Sequence, residues 1–477
     1  MDGDIAAARA RQAKMKAAIA AKAEVVGKVE MAAKAKQKAA MAPKAKQEAA
    51  QRWTTLGHER EVITPCLQIP SETFDADGLL PRILSFLNEK KIKYRVSRFS
   101  PSCDEREIEL ELSRLGMGLL EGVPVEVSGE RVVLAIIPAA LAIDPRDLST
   151  RFASGKVRIL NSSEISQRFS LKHSTNTIPP LGGLFGLEAF VSPLIEQRHT
   201  IGFIVDSRST LITLEAPSFH RILCNASAIP IPTRSKYRAR PFSTISKHQT
   251  IATPGRKELK RCILGVSLES SEFYPAKLIA ITNWIRRHYA DCDVMVGDGV
   301  HRITLLLDSG ETLVEETEAL ERSKWLARDW TYSNLSSFNL MDFSCRFNFV
   351  FMAEIQKTND YITYYNQLLA FFRDDREFQH SVEAFASAFL SRKPSRQVPS
   401  KNNIDLSCRY LLEELAVIGC LAQSSPCAFV YPGSLTLMKE IAGGLHPSAP
   451  ACLQQIDYVE LRLKRRSFLN QSNSPNG

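Results

Sequence analysis

The sequence predicts an α/β protein in which a smaller α/β domain precedes one built on a Rossmann-like parallel sheet. In the second half, an apolar strand over 262–267 leads into an amphipathic helix over 275–290 and a further apolar strand over 293–298. This order predicts a right-handed crossover between parallel strands. In the first half, the continuous apolar run 131–137 is typical of a strand buried on both faces. The basic stretch 229–257, rich in Pro, Ser and Thr, predicts a linker.

The composition is that of a globular protein without a membrane span. The chain has 477 residues, 44% of them hydrophobic and 24% charged, a length that suits two or three domains. No run of about 18 apolar residues occurs, and the first residues lack the features of a secretory signal. The ten cysteines form no Cys-x-x-Cys pair, so no metal site is expected. Reduced thiols predict a cytoplasmic protein.

The first 55 residues form a basic, low-complexity segment. They are rich in Ala, Lys and Gln and contribute to a formal net charge of +9. These are strong helix formers, but larger apolar residues are too scarce for a core. We interpret 1–55 as a basic helical arm that binds nucleic acid, with a disordered or organelle-targeting tail as the alternative. Residues 470–477 are expected to be disordered.

Residues 70–228 show an α/β pattern. Helices are predicted over 77–91, 104–115 and 145–152, strands over 93–97, 131–137, 189–192, 200–205 and 210–214, and a Pro- and Gly-rich loop over 175–186. The mixture of helices and strands predicts an independent small domain with its own core.

Residues 258–469 form the second α/β domain. After the opening strand–helix–strand unit, helices are predicted over 312–330, 360–374, 376–392, 402–419 and 435–442, and strands over 346–353 and 427–431. The domain contains neither Gly-x-Gly-x-x-Gly nor Gly-x-x-x-x-Gly-Lys, so no dinucleotide or phosphate cradle is expected.

A serine, a phenol and a carboxylate stand at positions suited to covalent acyl transfer. Ser267 ends the strand 262–267 and is the candidate nucleophile. Tyr410 and Glu414 are four residues apart, hence on one face of the predicted helix 402–419. Such a pair can bind an amine and relay its protons. A Ser-His-Asp hydrolase is disfavoured because no histidine lies close in sequence to Ser267.

Over most of residues 260–465 the chain resembles the tRNA-dependent cyclodipeptide synthases. The resemblance is carried in order by Leu264-Gly265-Val266-Ser267 with Phe273, Trp284-Ile285-Arg286-Arg287, Val294-Met295-Val296, Asp298 with His301-Arg302, Tyr410 with Glu414, and Phe429-Val430-Tyr431-Pro432. It implies a fold similar to the catalytic domain of class I aminoacyl-tRNA synthetases. It also implies a monomeric aminoacyltransferase that joins the aminoacyl groups of two aminoacyl-tRNAs into a diketopiperazine without ATP or another cofactor.

The resemblance implies a role for each site residue. Ser267 would carry the first aminoacyl group, and then the dipeptidyl group, as an ester, while Tyr410 and Glu414 would hold the amine. Gly265 would leave room for the aminoacyl group, and Ser270 stands at a substrate-site position that is often Asn in the family. Contacts with tRNA are expected from a set of basic residues: Arg256, Lys257, Lys260, Arg261, Arg322, Lys324 and Arg328.

Other positions in this domain carry different expectations. A Tyr-His or Tyr-Pro pair, which helps to orient the nucleophile in the family, aligns here with Met438-Lys439. Four further residues are expected to be structural: Asp298, His301, Trp325 and Trp330.

The first domain resembles, more faintly, the YbaK/prolyl-tRNA editing family. The resemblance is carried by the run 131–138, the Pro179-Pro180-Leu181-Gly182-Gly183 loop and the strand pair within 202–214. Those proteins hydrolyse mischarged aminoacyl-tRNA and rely on a lysine before the Val-rich strand, yet no lysine lies between Lys93 and Arg131. Two alternatives to a synthase are therefore an aminoacyl-tRNA deacylase and a non-catalytic tRNA-binding accessory protein.

Overall fold

The computed structural model describes residues 67–68, 78–100, 103, 105–129, 131–149, 157–171, 176–195, 200–205, 210–223, 227–228, 231–245, 261–308, 315–338, 344–391 and 400–466. All of them belong to one compact unit, Pro65–Gly477. The expectations for 1–55, for Arg256, Lys257 and Lys260, and for 470–477 concern residues outside this set. We call residues 67–235 the first region and residues 237–466 the second region.

The described strands of the first region are mostly short and form two sheets and one further strand pair. Its strands are β1 (Leu67–Gln68), β2 (Tyr94–Phe99), β3 (Leu120–Val127), β4 (Arg131–Pro138), β5 (Leu141–Ile143), β6 (Val157–Ile159), β7 (Ala189–Val191), β8 (Thr200–Ile204), β9 (Thr210–Glu215), β10 (Ser227–Ala228) and β11 (Thr233–Ser235). Its helices are α1 (Leu79–Glu89), α2 (Glu105–Ser113), α3 (Pro145–Ser149), α4 (Ser162–Phe169) and α5 (Ala216–Ile222). In the described residues the strand orders are β1-β2-β9-β8 and β10-β7-β4-β3-β6, and β11 pairs with β5.

The predicted buried strand lies inside the second of these sheets. β4 is flanked by β3 and β7, and most of its residues are buried. The neighbouring strand β3 was not predicted, because Gly122 and Pro124 within it are usual turn residues. A Cβ at Gly122 would lie 2.8 Å from the carbonyl oxygen of Ile178. The glycine therefore allows the 176–180 segment to bond directly to the strand.

The second region is built on one larger sheet. Its strands are β12 (Tyr237–Ile245), β13 (Arg261–Val266), β14 (Asp291–Val296), β15 (Arg346–Phe351), β16 (Ala428–Pro432) and β17 (Asp457–Arg465). Its helices are α6 (Pro275–His288), α7 (Asp298–Asp308), α8 (Glu316–Phe338), α9 (Met352–Ile355), α10 (Asn359–Asp374), α11 (Arg376–Ser391), α12 (Lys401–Ala422), α13 (Thr436–Gly443) and α14 (Ala451–Gln454). No described helix is long and apolar enough to cross a membrane.

The predicted strand–helix–strand opening is confirmed. β13 and β14 pair in parallel with α6 between them, and the sheet order among the described residues is β12-β17-β16-β13-β14-β15. Successive side chains of β13 point to opposite faces of the sheet, so they pack into two different cores. Ile263 packs with α10, α11 and α12, whereas Leu264 and Val266 pack on the opposite face with α6 and α8. The strand is buried on both faces, as its apolar run predicts.

The segment expected to be a linker contains two strands. β11 pairs with β5 of the first region, and β12 pairs antiparallel with β17 of the second region. Pro241 hides the strand pattern in the sequence, since proline is unusual in a strand interior. β12 tolerates it because it is the edge strand of the described sheet, and the register shifts between Pro241 and Ser243.

Candidate active site

The carboxyl ends of the parallel strands meet at one edge of the second sheet. β14 and β15 follow β13 on one side, whereas β16 and β17 lie on its other side. The connections from β13 therefore run to one side of the sheet first and to the other side later, which makes the gap between β13 and β16 a topological switch point. Open α/β sheets bind their ligands at such switch points. Ser267 follows the last residue of β13, and Tyr431 lies at the end of β16. Both residues thus flank the switch point.

The turn after β13 holds Ser267 at this edge. Ser267 is half-buried, and its carbonyl oxygen accepts a 3.4 Å hydrogen bond from the backbone N–H of Ser270. Glu269 adopts a left-handed backbone conformation with φ of 61°, which costs a non-glycine residue about 1 kcal/mol. The side chain of Ser270 accepts a hydrogen bond from the backbone of Glu272 and begins a short 3₁₀ turn. Ser270 therefore shapes the turn that presents Ser267.

Tyr410 and Glu414 project from α12 toward the same edge. The Tyr410 phenol lies next to Ser267. Burial raises the pKa of Tyr410 well above its usual value, and the nearby Glu414 and Tyr431 add to the rise, while the contact with Ser267 opposes it. Burial also raises the pKa of Glu414 from 4.5 to about 7. The structure thus brings together the serine, the phenol and the carboxylate that the sequence singled out.

A buried ionic network fixes the position of α12. Glu413 accepts two 2.8 Å hydrogen bonds from the guanidinium of Arg302 on α7. It also accepts bonds from Arg409 at 2.8 Å and from Gln356 at 2.9 Å. Arg302 and Arg409 share Glu316 as a further partner, and they hold the pKa of this carboxyl at about 2. Since Arg409 and Glu413 directly precede Tyr410 and Glu414 in sequence, this network also sets where Tyr410 and Glu414 lie.

Gly265 has a different neighbour from the one expected. A Cβ at this position would lie 2.9 Å from Cζ of Phe429 and 3.3 Å from Cδ2 of Tyr431. These two rings stack with centroids 6.2 Å apart, and Phe273 packs on Tyr431 at 6.1 Å. The absent side chain therefore makes room for an aromatic wall beside Ser267. The space beside Gly265 is thus taken by these two rings, and an aminoacyl group would have to bind outside it.

The Met438-Lys439 pair, which the sequence aligns with the family's Tyr-His or Tyr-Pro pair, lies on α13. Met438 is fully buried in the apolar core that also contains Phe429. A Tyr-Pro pair of this chain, Tyr431-Pro432, lies at the end of β16. The predicted strand over 427–431 contained Tyr431 and ended one residue before Pro432.

Of the residues expected to be structural, Asp298 and His301 are buried, whereas Trp325 is exposed. Asp298 accepts hydrogen bonds from the backbone N–H groups of Gly299 at 2.8 Å and Ala353 at 2.9 Å, so it connects α7 to α9. His301 is buried, with Nε2 3.4 Å from Oε2 of Glu269, and this contact lowers the pKa of Glu269. The expectation that Trp325 belongs to the core is wrong, since it is 57% exposed.

Over its first turns, the buried face of the helix α8 carries small residues. Its buried face carries Ala319, Ser323 and Ala327, whereas Trp325 and Tyr332 are exposed. A close-packed buried face of small residues leaves no room for an indole. Trp330 differs from Trp325, because it is half-buried and packs edge-on against Phe338 at 6.2 Å.

The described basic residues expected to bind tRNA lie in two places. Arg322 and Arg328 are exposed on α8, where Lys324 is half-buried and bonds to Glu321 at 2.7 Å. Arg261 lies at the other end of β13 from Ser267, about 20 Å away along the strand. Its guanidinium is bonded to Asp293 and to the carbonyl oxygen of Leu421. Arg261 is thus used within the fold and does not face the site.

Ser267, Tyr410 and Glu414 place a hydroxyl, a phenol and a carboxyl group at the site. Among the described residues, no group of three or more His, Cys, Asp or Glu side chains could hold a metal ion. A serine in contact with a phenol, with a carboxylate whose pKa is near 7 one helical turn away, can accept an acyl group and exchange protons with an amine.

The fold and the site define this part of the chain as an α/β domain with a serine at the switch point of a parallel sheet. Residues 249–440 match the model of the Cyclodipeptide synthase family. No curated protein matches the chain.

Several solved structures are similar to the chain. A cyclodipeptide synthase from Fluoribacter dumoffii is 18% identical, with a TM-score of 0.40, over 48% of this chain and 99% of its own. A Mycobacterium tuberculosis protein, described as showing that these enzymes are related to type I tRNA synthetases, is 17% identical, with a TM-score of 0.36, over 49% and 95%. A synthase from Candidatus Glomeribacter gigasporarum, bound to Phe-tRNAPhe, is 16% identical, with a TM-score of 0.34, over 44% and 91%.

Proposed function

We propose that the protein is a tRNA-dependent cyclodipeptide synthase with Ser267 as its nucleophile. The observation that carries the proposal is the contact between Ser267 and Tyr410 at the switch point, with Glu414 one turn further along α12. The family match over 249–440 supports it. An aminoacyl-tRNA is already an activated ester, so the enzyme has mainly to position groups and stabilise developing charge.

The first step transfers an aminoacyl group to Ser267. The Ser267 hydroxyl oxygen attacks the ester carbonyl of the first aminoacyl-tRNA, and the bond from that carbonyl to the terminal adenosine oxygen breaks. The serine proton ends on the adenosine oxygen, which leaves as free tRNA. Tyr410 can carry this proton, because its raised pKa keeps the phenol protonated at neutral pH and a phenol both accepts and donates.

The second step forms the peptide bond. Glu414, with a pKa of about 7, binds the α-ammonium group of the Ser267 ester in its ionised form and then accepts a proton from it. The neutral amine attacks the ester carbonyl of the second aminoacyl-tRNA. The second tRNA leaves with a proton on its adenosine oxygen, and a dipeptidyl ester remains on Ser267.

The third step closes the ring and restores the enzyme. The free amine of the dipeptide attacks the ester carbonyl on Ser267, the bond from that carbonyl to Oγ breaks, and Oγ regains a proton. The product is a diketopiperazine, and two tRNA molecules are released for each one formed. The half-buried ring of Tyr431, stacked on the buried Phe429 beside Gly265, is an aromatic surface against which the dipeptide can fold back.

The tRNA partner would meet the exposed face of α8. This face carries Arg322 and Arg328 together with the exposed rings of Trp325 and Tyr332. Cations bind phosphates, and aromatic rings stack on unpaired bases such as those of an acceptor end. The basic arm 1–55 and the basic residues Arg256, Lys257 and Lys260 would add positive charge.

The test is mass spectrometry of small molecules released from total charged tRNA by the full chain. The wild-type protein and Ser391→Ala, a variant at an exposed serine ending α11, should release cyclic dipeptides, and Ser267→Ala should release none. Persistence of product in Ser267→Ala would remove Ser267 from the mechanism. Free amino acids in all three samples would instead favour a deacylase, and salt-dependent tRNA binding without turnover would favour an accessory protein.

A further inference from the structure

Glu269 has an unfavourable backbone conformation in the turn that presents Ser267. It lies two residues beyond Ser267, with φ of 61°, in a region that glycine adopts freely and that other residues adopt only at a cost. Such strain persists at functional sites where the surrounding contacts over-determine it. The side chain of Glu269 should therefore make contacts that a glycine at this position could not make.

The first of these contacts is with a buried histidine of α7. Oε2 of Glu269 lies 3.4 Å from Nε2 of His301, whose side chain is 5% exposed. Among the described residues this nitrogen has no hydrogen-bond partner, so the nearby carboxylate is the group that compensates for its burial. His301 contributes most to the lowered pKa of Glu269, and burial opposes it. Glu269 is thus ionised at neutral pH and attracted toward α7.

The start of α7 holds this turn on both sides of Ser267. Before the serine, the carbonyl oxygen of Val266 accepts a 3.1 Å hydrogen bond from the backbone N–H of Gly297. After the serine, Glu269 contacts His301. The two points on α7 are one helical turn apart, since the N–H of His301 donates to the carbonyl oxygen of Gly297 at 2.9 Å. Contacts at both ends of a four-residue segment leave Ser267 little freedom to move.

The same helix also holds α12. Arg302, the residue after His301, donates two 2.8 Å hydrogen bonds to Glu413, which precedes Glu414 in sequence. Adjacent residues of α7 therefore fix the turn of the serine and the helix of the carboxylate relative to each other.

A second attraction on Glu269 comes from the first region. Arg114, just after α2, bonds to Glu111 at 3.0 Å, and its charge further lowers the pKa of Glu269. Arg114 and Glu269 line the same small cavity. The backbone of Gly116 packs against the carbonyl oxygen of Ser333 on α8, which keeps Arg114 beside the turn. The first region thus acts on the turn through one positive charge.

We propose that Glu269 is a positioning residue for Ser267, and that Arg114 of the first region acts on the serine through Glu269. The carboxylate keeps the turn in the geometry in which the Ser267 hydroxyl meets the ester carbonyl. A misplacement of about 1 Å from such a geometry can slow a reaction about 100-fold. The inference rests on the proposed function, because it concerns the rate at which Ser267 accepts an aminoacyl group.

The experiment measures single-turnover acylation of Ser267 in the full chain by intact-protein mass spectrometry. The probe is the charged tRNA of an amino acid found in the wild-type product. The rate at saturating charged tRNA and the half-saturating concentration are determined separately, and each variant is also melted. The variants are Glu269→Gly, Glu269→Gln, Arg114→Met and the double variant Glu269→Gly with Arg114→Met. Glu377→Gln, at an exposed carboxyl on α11, is the matched control.

Glu269→Gly should melt close to the wild type, because relief of the backbone strain offsets the lost contact. Its saturating acylation rate should nevertheless fall at least about ten-fold, with the half-saturating concentration unchanged. Glu269→Gln can still bond to His301 and should recover part of the rate, and Glu377→Gln should match the wild type. Arg114→Met should slow acylation, and the double variant should be no slower than Glu269→Gly alone, since the arginine acts through Glu269.

A wild-type saturating rate from folded Glu269→Gly would overturn the inference. Should that variant not fold, a wild-type rate from Arg114→Met would overturn the role of the first region, and a wild-type rate from Glu269→Gln would overturn the role of the charge. Absence of acyl-Ser267 in the wild type is a different result, since it would refute the proposed function itself.

Discussion

The raised pKa of Glu414 makes a quantitative prediction about stability. In the folded protein this pKa is about 7, whereas the ordinary value is 4.5. Each unit of difference corresponds to about 1.4 kcal/mol, so ionising the buried carboxyl destabilises the fold by about 3 kcal/mol at high pH. Below pH 4.5 the group is protonated in both states and costs nothing. The destabilisation therefore begins above pH 4.5 and is complete above pH 7.

Glu414→Gln removes this ionisation while keeping the shape of the side chain. The variant should be about 3 kcal/mol more stable than the wild type at pH 8, with the difference vanishing near pH 4.5. Urea unfolding at several pH values measures it, and Glu318→Gln, at an exposed position on α8, is the matched control and should show no trend. An alternative result is that the free energy of unfolding of Glu414→Gln differs from that of the wild type by the same amount at pH 5 and at pH 8. That result would refute the reasoning that Glu414 is a buried, ionisable carboxyl.

Three further substitutions test the surroundings of Ser267. Gly265→Ala places a methyl group 2.9 Å from the Phe429 ring, so it should cost about 1–3 kcal/mol of stability; an unchanged melting temperature would contradict this packing. Glu413→Ala leaves the buried Arg302 without its main partner and should cost about 3–5 kcal/mol in urea unfolding; a loss below about 1 kcal/mol would mean that the network is not buried. Tyr410→Phe should slow product formation roughly 100-fold or more with the fold intact, and undiminished single-turnover rates would exclude a proton relay.

The opening of the second domain was predictable because its signals are local. The apolar run ending at Ser267 and the amphipathic helix after it are recognisable within about 30 residues, the usual size of a βαβ unit. The placement of Tyr410 and Glu414 on one face follows from helical periodicity alone. The near-neutral pKa of Glu414 does not follow from the sequence, because it depends on how many atoms surround the carboxyl.

Other features depend on contacts distant in sequence. Nothing in the sequence marks Glu413 as a member of the buried ionic network, because its partner Arg302 lies 111 residues away. The prediction ended β16 at Tyr431, one residue before its observed end at Pro432, because motif spacing gives no indication of where a strand ends.

The pairing of β12 has a consequence for any attempt to study the second region alone. A shortened protein beginning at residue 258 would follow the boundary expected from the sequence, yet it would lack this strand. β17 would then expose its full backbone edge, including the ladder from Val459 to Arg465 that now faces β12. Unpaired edges of this kind recruit other chains and promote aggregation. Insolubility of such a fragment would reflect a missing strand and would carry no information about catalysis.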